Sequence, residues 1–153
     1  MLLFLDANVI FSAAHNPNGN SRGLFQLAAR GWCDLLTSPY ALEEATRNVL
    51  LRYPSLVHEL DRLKESLQLA PEARKEHIAW AISVGVPEKD APILAAAVQA
   101  RADCLVTGDK HHFGHLYGKK LRRLTVKSPA QALKSVLTLR TRGLRQSRRG
   151  KVK

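Results

Sequence analysis

Four short apolar runs, at residues 2–5, 35–36, 104–106 and 124–126, are separated by longer stretches of helical period. This alternation constrains the fold more than any other feature of the chain. Strands that must reach a neighbour through a helix form a parallel sheet with helices packed on its faces. The expected architecture is therefore a three-layer α/β/α sandwich around a central parallel sheet. At 153 residues the chain suits one domain with a sizeable core.

The helical stretches carry their own start and stop signals. Ser21 can cap a helix over residues 22–30 that Gly31 ends. Ser38-Pro39 is a cap followed by proline in the first turn, with Leu42, Ala45 and Val49 at helical spacing and Pro54 as the break. Further helical patterns cover residues 56–67 and 71–83. Asp90 opens a helix striped by Ile93, Leu94, Ala97 and Val98, and Ser128-Pro129 opens a last one to about residue 137.

Charge divides the chain. The net charge is +11, and seven of the 24 basic residues, with no acidic one, fall within residues 139–153. The reading is a domain over residues 1–138 and a disordered basic tail over 139–153, suited to a polyanion such as RNA. Cys33 and Cys104 are the only cysteines and lie in apolar surroundings, which excludes a disulfide framework or a cysteine-bound zinc. The opening MLLFLDANV meets an acid at position 6 and is too short for a signal or membrane segment, so a cytoplasmic protein with no membrane association is expected.

The acids fall in a pattern. Asp6 ends the first apolar run, Asp109 follows the third, Asp90 starts a helix, and Glu43 and Glu44 lie in the first turns of another. In open α/β sheets ligands bind beyond the carboxyl ends of the strands, and helix amino ends gather at the same edge. Each acid alone has an ordinary explanation. Asp90 can be a helix cap, Glu43 and Glu44 can complement a helix dipole, and Asp109 can be a turn residue. Asp6 is harder to explain, because a charge at the end of a buried strand is costly unless paired. Carboxylates brought to one edge repel each other, and a divalent cation relieves that repulsion. An oxygen-rich set without a cysteine or histidine cluster suits Mg2+ or Mn2+ and phosphodiester hydrolysis. His111, His112 and His115, clustered in DKHHFGH, read as loop residues on the rim, and Trp32 and Trp80 read as packing residues.

These segments resemble a known family. LLFLDANVIFSAA is similar to the opening of PIN domains, TSPYALEEATRNVL to their glutamate-bearing helix, and KDAPILAAAVQARADCLVTGDKHHF to their later acidic motifs. The resemblance covers residues 1–138. It implies the PIN fold and Mg2+- or Mn2+-dependent cleavage of single-stranded RNA. It also implies kinship with VapC-like toxins of toxin–antitoxin pairs, which are often dimeric and inhibited by a small partner. It places both the metal ligands and the catalytic residues at Asp6, Glu44 (in preference to Glu43), Asp90 and Asp109, with Asn8 and Thr107 orienting them. The chain departs from relatives that carry a further acid just beyond Asp109, where it has KHHFGH. Two alternatives carry different expectations. A catalytically inactive RNA-binding module would bind RNA in a salt-sensitive way without turnover. A partner-binding subunit would expose a sizeable apolar patch.

Overall fold

The computed structural model describes residues 1–151. Six strands form one sheet in the order β3-β2-β1-β4-β6-β5: β1 (Leu2–Leu5), β2 (Asp34–Thr37), β3 (Leu67–Leu69), β4 (Cys104–Val106), β5 (Lys120–Leu121) and β6 (Leu124–Lys127). All neighbours run parallel except the β5–β6 hairpin. Leu3 pairs with Leu35 on one side and Cys104 on the other, which fixes β1 and β4 as central neighbours. Both are buried along nearly their whole length, as strands covered on both faces must be.

The helices are α1 (Ala7–His15), α2 (Asn20–Ala29), α3 (Pro39–Arg52), α4 (Val57–Lys64), α5 (Lys75–Ser83), α6 (Ala91–Gln99), α7 (Lys110–Phe113) and α8 (Pro129–Gly150). α1 packs against α2, α3 and α4, α8 packs on α2, and α5 pairs with α6. No helix among the described residues is long and apolar enough to cross a membrane.

The chain leaves β1 for β2 and β3 on one side, then returns to place β4 on the other side of β1. The strand order reverses between β1 and β4, and in such sheets the crevice at that reversal is where ligands sit.

Local signals explain most boundaries. Ser38 Oγ accepts from Ala41 N at 3.2 Å and starts α3. Ser128 and Gln131 exchange hydrogen bonds in a capping box that starts α8. Gly31, at φ +74, ends α2 with the left-handed turn that glycine adopts without strain. Ser21 differs from expectation. α2 begins two residues earlier, after Gly19, and Ser21 is buried inside it.

Three further differences have physical reasons. The region read as helix over 56–67 ends at Lys64, and Leu67–Leu69 becomes an edge strand that three residues were too few to announce. α1 starts directly at the end of β1, with Asp6 as its cap. The residues from 139 expected to be disordered continue α8 to Gly150, and residues 152–153 lie outside the described residues. The capping box and the buried Ala132 and Val136 nucleate α8, and extension through arginine and leucine, good helix formers, is then favourable.

Candidate active site

Buried polar side chains are few, and they gather where the strands end. Asp6 follows β1, Thr37 and Ser38 end β2, and Thr107 follows β4. Asp6 is only 5% exposed. Its Oδ1 accepts from Ala7 N at 2.7 Å, and its Oδ2 accepts from Thr107 Oγ1 at 2.8 Å and Asn8 Nδ2 at 3.0 Å. Burial pushes its pKa up to about 6 against these hydrogen bonds, helped by the charges of Glu44 and Asp90.

Thr107 and Asn8 stitch the two central strands together at this edge. Thr107 Oγ1 also accepts from Asp109 N at 3.1 Å, and Asn8 Oδ1 accepts from Gly108 N at 2.8 Å. Tyr117 OH donates to Thr107 O at 2.7 Å. The loop carrying Asp109 is thus tied to the loop carrying Asp6 by side chains that neither ionise nor leave. This is the orienting position expected for Asn8 and Thr107.

Asp90 stands just before α6, yet its side chain makes no cap hydrogen bond, so the ordinary explanation for an acid at that position fails. Its Oδ2 is buried and has no hydrogen-bond partner. His112 Nδ1 lies 3.0 Å from that oxygen, but at an angle that makes no hydrogen bond. The nitrogen is engaged instead with Asp109 Oδ2 at 2.7 Å. Burial raises the Asp90 pKa, with the His112 charge opposing and the Asp109 charge adding to the rise.

Asp109 does cap its helix, accepting from His112 N at 3.0 Å. Burial raises its pKa, but the hydrogen bonds from the His112 backbone and ring, together with the charge of His112, outweigh that and hold it below the usual carboxylate range.

Glu44, on α3, is half-buried and lines a cavity of about 400 Å3 together with Asn8, Ser12, Ser21 and Asp109. Its charge reaches Asp6 and Tyr40. Glu43 points into solvent and takes no part in the cavity wall. Tyr40 OH donates to Lys89 O at 2.7 Å, and its pKa is raised by burial and by Glu44 and Asp90.

The structure brings all four expected acids to one edge, from four separate parts of the chain, but the group of side-chain atoms close enough to share one ion holds Asp90 and Asp109 without Asp6 or Glu44. It adds one residue that sequence reading placed on the rim. One ligand-type atom from each of Asp90, Asp109 and His112 lies within 4.8 Å of the others. The signal was present in the sequence as Asp-x-x-His, a three-residue spacing that puts both side chains on one helical turn. His111 is exposed beside His112, and His115 Nε2 sits 3.2 Å from Val84 O.

The donor chemistry fits a divalent cation. A buried carboxylate oxygen without a hydrogen bond, beside a second carboxylate, favours positive charge. The His112 ring nitrogen lies 3.0 Å from Asp90 Oδ2 and 2.7 Å from Asp109 Oδ2, and these three residues would hold such a cation.

A sequence profile of the PIN domain matches residues 3–111, more than half of the chain. The chain belongs to the PIN domain family. The match spans every acid of the edge, from Asp6 to Asp109. Solved structures give the same fold for this PIN domain. A chain of VapBC2 from Rickettsia felis, bound to a DNA fragment from its promoter, aligns with a TM-score of 0.65 at 17% identity, covering 84% of this chain and 98% of that one. VapBC-1 from nontypeable Haemophilus influenzae aligns at 0.55 and 17% identity, over 85% and 99% of the two chains. FitAB bound to an IR36 DNA fragment aligns at 0.54 and 20% identity, over 84% and 95%. No curated protein sequence matches the chain.

Proposed function

We propose that this PIN domain is a metal-dependent endoribonuclease that hydrolyses phosphodiester bonds of single-stranded RNA. The observation that carries the reading is the convergence of Asp6, Glu44, Asp90 and Asp109 at the strand-order reversal, with Asp90 Oδ2 buried and unpartnered. Asp6, Glu44, Asp90 and Asp109 would hold Mg2+ or Mn2+, with His112 Nδ1 as a further donor. A cation bound there would supply charge for phosphate oxygens and acidify a water.

The chain's own residues account for the rest. Asp6, with its pKa raised to about 6 by burial, would be ionised more fully by a cation held beside it. Asn8 and Thr107 keep its carboxylate aimed, because three donors fix both of its oxygens. His112 Nδ1, 2.7 Å from Asp109 Oδ2, holds that carboxylate in place. The cavity of about 400 Å3 presents polar groups of Asn8, Ser12, Ser21, Glu44 and Asp109 to whatever enters it.

The toxin reading follows from the structural neighbours, which are chains of VapBC and FitAB assemblies. Leu50, Leu51 and Tyr53, exposed by 51%, 81% and 38%, form an apolar surface at the end of α3 suited to a small antitoxin protein or to a second copy in a homodimer. A cytoplasmic location goes with that reading.

The test is cleavage of a labelled single-stranded RNA with Mg2+, Mn2+ or chelator, beside Asp6→Asn. Cleavage that needs metal and is lost in the variant supports the proposal. Full activity in Asp6→Asn, or in chelator, would sink it.

A further inference from the structure

A second cavity, of about 340 Å3, opens between the start of α5, the end of α6 and the β5–β6 turn. Arg74, His77, Gln99, Arg101, Arg122 and Arg123 stand in its wall, and no acid does. Among the described residues none of these four arginines pairs with a carboxylate. The cavity lies apart from the acids. Arg101 precedes β4 and Arg123 precedes β6, whereas Asp109 follows β4. The three residues of β4 that intervene span roughly 10 Å.

The wall is organised. Arg101 and Arg122, at φ 57 and φ 58, are the only non-glycine residues in the left-handed region among the described residues. Such backbone clusters at binding sites more often than elsewhere. The Arg122 guanidinium carbon lies 4.2 Å from the Trp80 ring centroid, a cation–π contact that holds the side chain over the ring. Gln99 spends its whole amide on holding the loop before α5. Its Nε2 donates to Glu72 O at 3.1 Å, and its Oε1 accepts from Arg74 N at 2.8 Å.

The charge there is uncompensated. Arg74 sits at the N-cap of α5 without supplying a cap hydrogen bond, and Lys75 follows it. Two cations thus meet the positive end of a helix dipole, with only Glu76 in that turn to offset them. An anion in the cavity would relieve the repulsion among four guanidinium groups and satisfy the first free N–H groups of α5.

We propose that this cavity binds the phosphate of a nucleoside monophosphate, either free or as the terminal nucleotide of an RNA. Arg74, Arg101 and Arg123 take the phosphate oxygens with their planar, forked donors. Arg122, over Trp80, offers its outer face to a nucleobase. The volume is enough to hold one nucleotide. The site involves no metal and stands or falls independently of the nuclease reading.

The test is a backbone-amide NMR titration of the full chain in chelator, with uridine 5′-monophosphate, uridine, and a 5′-phosphorylated hexauridylate as probes. The expected result is saturable shifts at residues 74–77, 101–102 and 122–123 with the monophosphate, and binding at least tenfold weaker for uridine. Arg101→Gly combined with Arg123→Gln should weaken the monophosphate at least tenfold, and glycine preserves the left-handed backbone at position 101. Arg142→Gln with Arg145→Gln removes the same charge from α8 and should change binding by less than twofold. Equal weakening in that control, equal binding of uridine, or no saturable shift at these amides would overturn the proposal. Tighter binding of the hexamer than of the monophosphate at the same amides identifies the RNA terminus as the source, and the reverse identifies the free nucleotide. Either ranking supports the site.

Discussion

The two edges of the sheet carry opposite charge, and they handle it differently. At the carboxyl edge Asp6, Asp90 and Asp109 precede α1, α6 and α7, where the positive ends of helix dipoles favour anions. At the amino edge Arg30 follows α2, Arg101 follows α6, and Arg140 reaches the Trp32 ring from α8. Strand direction thus sorts the charges, as it does in any parallel α/β sheet. Dipoles are worth about 1 kcal/mol or less per charge, however, and cannot account for what happens at the carboxyl edge. There Asp6 is buried under three hydrogen bonds and Asp90 holds a buried oxygen that accepts none, with only the His112 ring 3.0 Å away. The acids are fixed in place and mutually repelling. The arginines are exposed, and Arg30, Arg122 and Arg140 lie over tryptophan rings. The difference is that the acids are held by hydrogen bonds in a buried edge, whereas the arginines stand on an exposed edge against aromatic faces.

The sharpest way to break this contrast is to remove a charge from each edge. Asp90→Asn should lower RNA cleavage by roughly 10²–10³-fold, the usual cost of losing one preorganised electrostatic group. The fold should survive, because Asp90 makes no cap bond. Glu44→Gln should cost on the order of tenfold in cleavage, whereas Glu43→Gln, exposed and outside the cavity wall, should leave kcat/KM unchanged. Equal effects of the two glutamate variants would show that the cavity assignment is wrong.

Stability against pH offers a second contrast, within the carboxyl edge itself. The Asp6 pKa, raised to about 6, and the raised Asp90 pKa both favour the protonated folded state. Their contribution to stability is present in full below the ordinary carboxylate pKa; that of Asp6 is lost as pH rises through about 6, and that of Asp90 also falls with rising pH. Asp109 is shifted the other way, so its contribution is present at neutral pH and lost only below the usual carboxylate range. Metal-free protein should therefore melt at a lower temperature at pH 7 than at pH 5, by about 1–3 kcal/mol in stability. Mn2+ should raise the melting temperature more at pH 7. A metal-free melting temperature that rises from pH 5 to pH 7 would contradict the burial of these acids.

The smallest effect belongs to the α8 extension. Beyond Arg140 its residues are exposed, and Arg142, Arg145 and Arg149 crowd one side of the helix without acids between them. Pro129 lies at the cavity of the acids and α8 runs away from it for 22 residues, or roughly 33 Å. Replacing all three arginines with glutamine should reduce the salt slope of binding to a long RNA by up to ~2 while leaving cleavage of a hexanucleotide unchanged. An unchanged slope would remove the extension from RNA binding.

What could be read from the sequence follows from how local each signal was. β1 and β4 were legible because each is a short apolar run stopped by polar residues, and α3 and α8 because Ser-Pro pairs mark their starts. The convergence of Asp6 with Asp109 followed from strand direction alone. β3 and β5 escaped because three and two residues at a sheet edge carry almost no pattern. The extension of α8 escaped because its charge looked like that of a solvated tail, while its helicity depends on a nucleus ten residues upstream. His112 was half legible, as a spacing whose partner Asp90 comes from another segment. The arginine cavity was not legible, since it assembles from three regions that only the β5–β6 hairpin and the α5–α6 pair bring together.

The central claim is that the carboxyl edge is a cation site. Calorimetric titration of Mn2+ into the metal-free full chain, beside Asp6→Asn with Asp90→Asn, tests it most directly. Saturable binding in the natural protein that disappears in the double variant is the predicted result. Binding of the same stoichiometry and affinity in both proteins would contradict the account.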